Sequence, residues 1–293
     1  MLPLLALVAV TAVWGVTFVQ VKDAVALYPL FAFLAVRFLI ATAVLAPFAL
    51  RPTLTLGRRG WRAATLLGLL LAAGYWLQTA GLERTTVSNA GFITGLYVVF
   101  TPLAAVAILR IRLGRVVWAG VALSTAGLAL LSGVGGASGA GDLLVLLGAV
   151  AFSLQIALME RYAPRYDPVA FTFVEMLAAF GGFTVVAVAL GQVELPRGWV
   201  VWGALLVTGI FASALGFLVQ TWAQRRTSAT RTALAFALEP VWAAIFGYWL
   251  AGDRLGAVGW IGAALIMAGI VVAEPAAAQA LRRLVSAKAV KTR

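Results

Sequence analysis

Three ionisable side chains, Arg37, Glu175 and Glu239, fall inside long apolar runs of a 293-residue chain that holds only 22 Lys and Arg and 10 Asp and Glu. A charge near a bilayer centre costs on the order of 2.5–3.5 kcal/mol, so such residues usually face a cavity or a partner. Arg37 lies shortly after Pro29 and Glu175 shortly after Pro168, which gives them nearly equivalent depths. They can form a charge pair, Arg37 can hold a carboxylate, or each can bond to backbone carbonyls or snorkel. Glu239 immediately precedes Pro240. A carboxylate in a membrane is costly to keep ionised, which makes Glu239 the candidate for proton coupling or for binding an ammonium group; a plain bond to a neighbouring helix is the alternative. Pro102 and Pro240 each remove a backbone donor and leave the carbonyl four residues earlier, Val98 or Phe236, without its usual partner. They read as gating hinges or as packing kinks.

Polar and aromatic residues recur on shared helical faces. Tyr75, Gln78, Thr79 and Leu82 form one face by the i, i+3, i+4 rule, and Phe217, Gln220, Thr221 and Gln224 form another. Amide and hydroxyl groups beside aromatic walls suit an amphipathic solute with a few hydrogen-bonding groups, although the same residue types also join membrane helices. Thr232, Phe236, Glu239, Trp242 and Phe246 make a third stripe. The candidate substrate-binding set is Trp14, Tyr75, Trp76, Gln78, Thr79, Tyr97, Phe152, Gln155, Gln220, Thr221, Glu239 and Trp242.

The absence of His and Cys leaves the usual metal, thiol and disulfide chemistry without ligands, so no metal and no cofactor is implied. No Walker loop is present either, so energy must come from a gradient. Gly139-Ala140-Gly141-Asp142 and Tyr166-Asp167 are similar to the motifs of intramembrane aspartyl proteases, which need paired carboxylates. Here they occur in reversed order and in loops on opposite sides.

These residues must be positioned by membrane helices. Hydrophobic residues make up 63% of the chain, against about 45–50% in soluble proteins, which excludes a soluble fold. Ten apolar stretches, each of roughly 17–25 residues and free of charge apart from Arg37, Glu175 and Glu239, read as spans: 3–21, 29–50, 63–82, 87–109, 116–133, 143–159, 168–190, 199–222, 232–250 and 256–273. The connections between them are turn-like. The first stretch lacks the basic leader and cleavage site of a signal peptide and reads as retained. Seventeen Lys and Arg lie in the loops and tail on one side and four on the other, which puts both termini in the cytoplasm. The same bias explains the net charge of +12 without nucleic acid. The 276–293 tail reads as a basic amphipathic helix on anionic lipid or as a solvated tail.

Sliding the chain by 142 residues aligns 74–127 with 216–269 without a gap, and 17 of the 54 positions are identical. Gln78/Gln220, Thr79/Thr221, Arg84/Arg226, Trp118/Trp260 and Arg112-Leu113-Gly114/Arg254-Leu255-Gly256 are among them, so shared hydrophobicity does not explain the match. A five-span unit has an odd number of crossings, and its second copy is therefore expected upside down. The sequence thus predicts an all-α membrane protein of ten helices in two inverted five-helix repeats, 1–135 and 140–275. Such repeats are typical of alternating-access carriers.

The second unit carries Leu238-Glu239-Pro240, then Gly252-Asp253-Arg254-Leu255, then Gly262 to Gly269. With Trp14-Gly15, Arg37-Phe38, Asn89-Ala90-Gly91-Phe92 and Pro102-Leu103 in the first unit, it resembles the EamA repeat of the drug/metabolite transporter superfamily over residues 4–274. Ile111 departs from the pattern, since that loop usually carries an acidic residue. The resemblance implies a ten-helix inner-membrane carrier that exports a small metabolite or amino acid, including aromatic ones. The expectation is a secondary transporter rather than an enzyme, with a small solute and membrane lipid as partners, no nucleic acid, and a monomer as one possible state. A structural or lipid-scrambling membrane protein is the alternative.

Overall fold

The computed structural model describes residues 2–85, 87–131, 139–246 and 256–273. Among these residues every regular element is a helix and no strand occurs, as expected where lipid leaves backbone groups nothing to bond outside their own segment. Among the described residues seven helices are long and apolar enough to cross a membrane, and Arg115–Leu130 and Ala257–Ala273 are shorter apolar helices. The chain is a multi-pass membrane protein. The 276–293 tail and the Gly252 to Leu255 segment lie outside the described residues.

The first three helices are continuous: α1 (Leu2–Val25), α2 (Leu30–Thr53) and α3 (Gly57–Leu82). The next apolar run divides at Leu96 into α4 (Val87–Gly95) and α5 (Tyr97–Leu109), and α6 (Arg115–Leu131) follows. Pro102 sits inside α5, and the break in the helix comes six residues before it, at Leu96. After α7 (Ala140–Tyr162) and α8 (Pro168–Ala189), the helices α9 (Trp199–Leu206) and α10 (Gly216–Gln224) are joined by a π-helical stretch, Val207–Leu215. A second break at Ala237 and Leu238 separates α11 (Ala229–Phe236) from α12 (Glu239–Phe246), and α13 (Ala257–Ala273) ends the described chain. Pro240 is the second residue of α12, where a missing N–H is tolerated.

Local chemistry sets several helix starts. Asp167 caps α8 by accepting from Val169 N and Ala170 N, each at 3.0 Å, with Pro168 at the first helical position. Asp142, in the first turn of α7, accepts from the Thr85 hydroxyl at 2.5 Å. These two carboxylates therefore serve helix starts at opposite ends of α7, which removes the paired-carboxylate protease reading. Glu160, near the end of α7, accepts from Ala229 N at 2.7 Å and, with Ser228, caps α11.

Glycines set the close helix approaches. A Cβ on Gly120 would stand 2.6 Å from the Gly269 carbonyl oxygen, and one on Gly127 2.5 Å from that of Gly262, so α6 and α13 meet backbone to backbone. There the Ser124 hydroxyl donates to Ile266 O at 3.4 Å. Gly74 of α3 abuts the Phe152 ring of α7, and Gly216 of α10 abuts the Trp14 indole of α1. Gly74 and Gly216 are 142 residues apart in sequence, and each opens space for an aromatic ring at the centre of the bundle.

Candidate functional site

The rings admitted by Gly74 and Gly216 wall a central cavity with about 60 Å³ of space open to water. Its aromatic lining is Trp14, Phe18, Tyr75, Tyr97, Phe152, Phe217 and Phe236. Trp14 packs on Phe236 and Phe217 at 4.8 and 5.4 Å between ring centroids, and Tyr75 meets Phe152 edge-on at 5.1 Å. The indole of Trp14 donates to Ala212 O at 2.8 Å, so the π-helical stretch fixes this wall.

Two potential charges reach the same cavity. Arg37 is 3% exposed and donates from Nε to the Ser213 hydroxyl at 2.8 Å, again on the π-helical stretch. Its guanidinium lies 4.2 Å from the centre of the Tyr75 ring, a cation–π geometry. Glu239, the first residue of α12, contacts the Tyr97 hydroxyl through Oε2 at 2.9 Å. Tyr97 is the first residue of α5, and its hydroxyl is also 2.6 Å from Phe236 O.

An amide chain forms the polar wall. Gln220 Nε2 donates to Gln155 Oε1 at 3.0 Å and to Gln224 Oε1 at 2.9 Å; Gln155 Nε2 then donates to Glu175 Oε1 at 3.0 Å. Gln224 closes the chain on Ile156 O. Gln220 Oε1 is buried without a hydrogen-bond partner at this wall, which leaves one acceptor for a ligand. Gln78 donates to the Thr94 hydroxyl at 2.9 Å, and both residues line the cavity.

Of the predicted set, Trp14, Tyr75, Gln78, Thr79, Tyr97, Phe152, Gln155, Gln220 and Glu239 line this space, together with Arg37. Three aromatic or hydroxyl candidates do not. Trp76 is 45% exposed and lies beside Phe31 at the rim of an outer depression, because it follows Tyr75 by one residue and a helix turns it away. Thr221 accepts from Thr172 of α8 and donates to Phe217 O, which makes it a join between helices. Trp242 packs with the α6–α13 cluster and stacks on Phe246. Arg37 and Glu175 do not pair: each is held by an uncharged side chain, Ser213 or Gln155. Glu175 is fully buried behind Gln155, outside the cavity lining.

Two residues that matter here were missed from sequence. Thr94 precedes Tyr97 by three residues and therefore shares its face, a usable signal. Ser213 had none, because its direction is set by π-helical turns. The outer depression, about 500 Å³, is bordered by Tyr28, Trp76, Glu83, Arg84 and Gln192. Burial raises the Glu83 carboxyl above its ordinary range, with Arg84 pulling the other way.

With the helices and cavity in place, the chain belongs to the EamA-like transporter family, whose profile matches residues 1–133 and 139–273. It is thus a member of a membrane transporter family rather than of an enzyme family. Similar proteins include an uncharacterized transporter from Archaeoglobus fulgidus, 32% identical over 92% of this chain and 84% of that protein. Another is the uncharacterized inner membrane transporter YedA of Escherichia coli, 27% identical over 93% and 90%. A protein solved by crystallography shares the fold with a TM-score of 0.76 and 20% identity, covering 96% of this chain and 98% of its own.

Proposed function

We propose that the protein is a secondary carrier exporting a small amphipathic zwitterion, an amino acid or close relative, across a bacterial inner membrane by alternating access. The observation that carries this reading is that Arg37 and Glu239 line one small cavity together with aromatic rings and a free amide oxygen. A substrate carboxylate fits the donors of Arg37, an ammonium fits Glu239 and Gln220 Oε1, and an apolar side chain fits the rings. With the ammonium absent, Glu239 is the group that takes a proton. The proposed architecture is ten spans in two inverted repeats, 1–135 and 140–275, with both termini and the 276–293 tail cytoplasmic. Its support is the 142-residue self-match, the double family match and the corresponding roles of Gly74 and Gly216.

The test uses proteoliposomes loaded with a uniformly carbon-13-labelled mixture of the common amino acids, with efflux followed by mass spectrometry. Saturable, protein-dependent loss of one or a few amino acids, faster under an imposed proton gradient, is expected. Efflux of all of them at the rate of empty liposomes would remove the amino-acid reading. Lipid movement without solute flux would favour a scramblase.

A further inference from the structure

The Tyr97 hydroxyl touches two acceptors but owns one hydrogen. Phe236 O lies at 2.6 Å and Glu239 Oε2 at 2.9 Å, and a phenol donates only once. Both contacts can be hydrogen bonds only if the second hydrogen comes from Glu239. When its carboxyl holds a proton, Glu239 donates to the Tyr97 oxygen and Tyr97 donates to Phe236 O. When the carboxylate is ionised, it is acceptor-only, and the single Tyr97 hydrogen cannot serve it and Phe236 O at once.

Phe236 O is no ordinary carbonyl. It belongs to the last residue of α11, and the donor four residues on is Pro240, which has no N–H. A buried carbonyl left without a donor is costly, enough to bias a protein between two conformers of similar free energy. The contact also bridges the two breaks in the bundle, since Tyr97 begins α5 just after Leu96 and Glu239 begins α12 just after Leu238.

We infer that Tyr97 is a positioning residue that transmits the protonation state of Glu239 to the α11–α12 break, by donating either to the carboxylate or to the carbonyl that Pro240 leaves free. The proton that enters comes from the cavity and stays on Glu239; the Tyr97 hydrogen only rotates between acceptors. This deepens the reading of Glu239 given above and rests on its location in the transport cavity. The ionisable groups facing it across the cavity are Arg37 on α2, Tyr75 on α3 and Tyr97 on α5. Among the helices packed on α12, α4 has no ionisable residue, α1 has only Lys22 and Asp23 near its end, and α6 has only Arg115 at its start.

The test needs no substrate. The chain has no Cys, so Arg231→Cys on α11 and Ile245→Cys on α12 provide two nitroxide sites, about 21 Å apart along a continuous helix at 1.5 Å per residue. Their distance distribution in lipid nanodiscs is measured from acid to alkaline buffer. The wild-type background should change in a single protonation step, and Glu239→Gln, whose amide also donates to Tyr97, should stay in the acid form at every pH. Tyr97→Phe should give a distribution that ignores pH, while the infrared carboxyl band of Glu239, isolated by subtracting the Glu239→Gln spectrum, still titrates. A pH-dependent distance in Tyr97→Phe would overturn the inference, as would a wild-type distance that ignores pH. Should Tyr97→Phe not fold, the wild-type acid-form band decides: a hydrogen-bonded carboxyl frequency supports the contact and a free one overturns it. A distance that switches through Tyr97 while a proton gradient leaves efflux unchanged would keep the toggle and remove the coupled-carrier reading. Gradient-driven efflux with a fixed distance would do the reverse.

Discussion

Adding one methyl group at Gly74 tests how tightly the cavity wall is built. A Cβ there would lie 2.5 Å from Phe152 Cε1, 2.6 Å from Cδ1 and 2.9 Å from Cζ, where carbon atoms prefer about 3.5–4.0 Å. The ring must therefore retreat by about 1 Å, and Tyr75, in edge contact with it, must follow. Overpacking of this kind costs about 1–3 kcal/mol, while Gly→Ala within a helix returns about 1 kcal/mol. The net loss for Gly74→Ala is about 0–2 kcal/mol. At Gly216 the same methyl would stand 3.0 Å from Trp14 Nε1 and 3.3 Å from Phe211 O. Shifts of a few tenths of an ångström relieve that, so Gly216→Ala should be close to neutral. At about 2–4 °C per kcal/mol for a chain of this general size, the ordering is measurable by thermal unfolding in detergent, read from tryptophan fluorescence. Phe152→Leu in the Gly74→Ala background should recover part of the loss through non-additivity. Gly216→Ala melting below Gly74→Ala, or strict additivity with Phe152→Leu, would refute the argument.

Other substitutions separate binding from scaffolding. Arg37→Met should keep or raise the melting temperature, because a desolvated charge is replaced by a side chain of similar reach, yet abolish efflux of the labelled amino acids; retained efflux would exclude Arg37 as the carboxylate anchor. Gln155→Leu removes the amide donor to Glu175 and should cost about 1–3 kcal/mol, whereas Gln155→Leu with Glu175→Leu should recover most of it in a double-mutant cycle. Trp76→Ala, at a half-exposed outer position, should leave efflux unchanged and stability within about 0.5 kcal/mol, and loss of efflux would return Trp76 to the site.

The helical class and most of the cavity lining were legible because both follow from a 3.6-residue period. Tyr75, Gln78 and Thr79 announce one face, and the 142-residue match points to Gln220 on another. Trp76 and Thr221 illustrate the limit of that reasoning, since composition marks both as attractive while helical direction sends one outward and a neighbouring hydroxyl claims the other. The breaks at Leu96 and Leu238 were less legible. Pro240 signals the second, but the first has no proline beside it, and Pro102 draws attention to the wrong turn. Phe236 O was recognised from sequence as lacking its helical donor. That its substitute would be the Tyr97 hydroxyl depends on tertiary proximity, which a spacing argument does not contain.

The π-helical stretch has a consequence for the phase of its helix. In an uninterrupted α-helix at about 100° per residue, positions 18 apart differ by about five whole turns and share a face. Trp199, Trp202 and Leu206 are 83%, 40% and 40% exposed, while Phe217, Gln220 and Gln224, each 18 residues on, are 3%, 1% and 1% exposed. The nine wide turn positions of Val207–Leu215 act as a rotary offset between two stretches of ordinary helix. One stretch can present tryptophans outward while the next presents amides inward. A deletion of a single residue within 207–215 would therefore act chiefly as a change of angle, shortening the helix by only about 1.5 Å while turning Gln220 and Phe217 relative to the cavity.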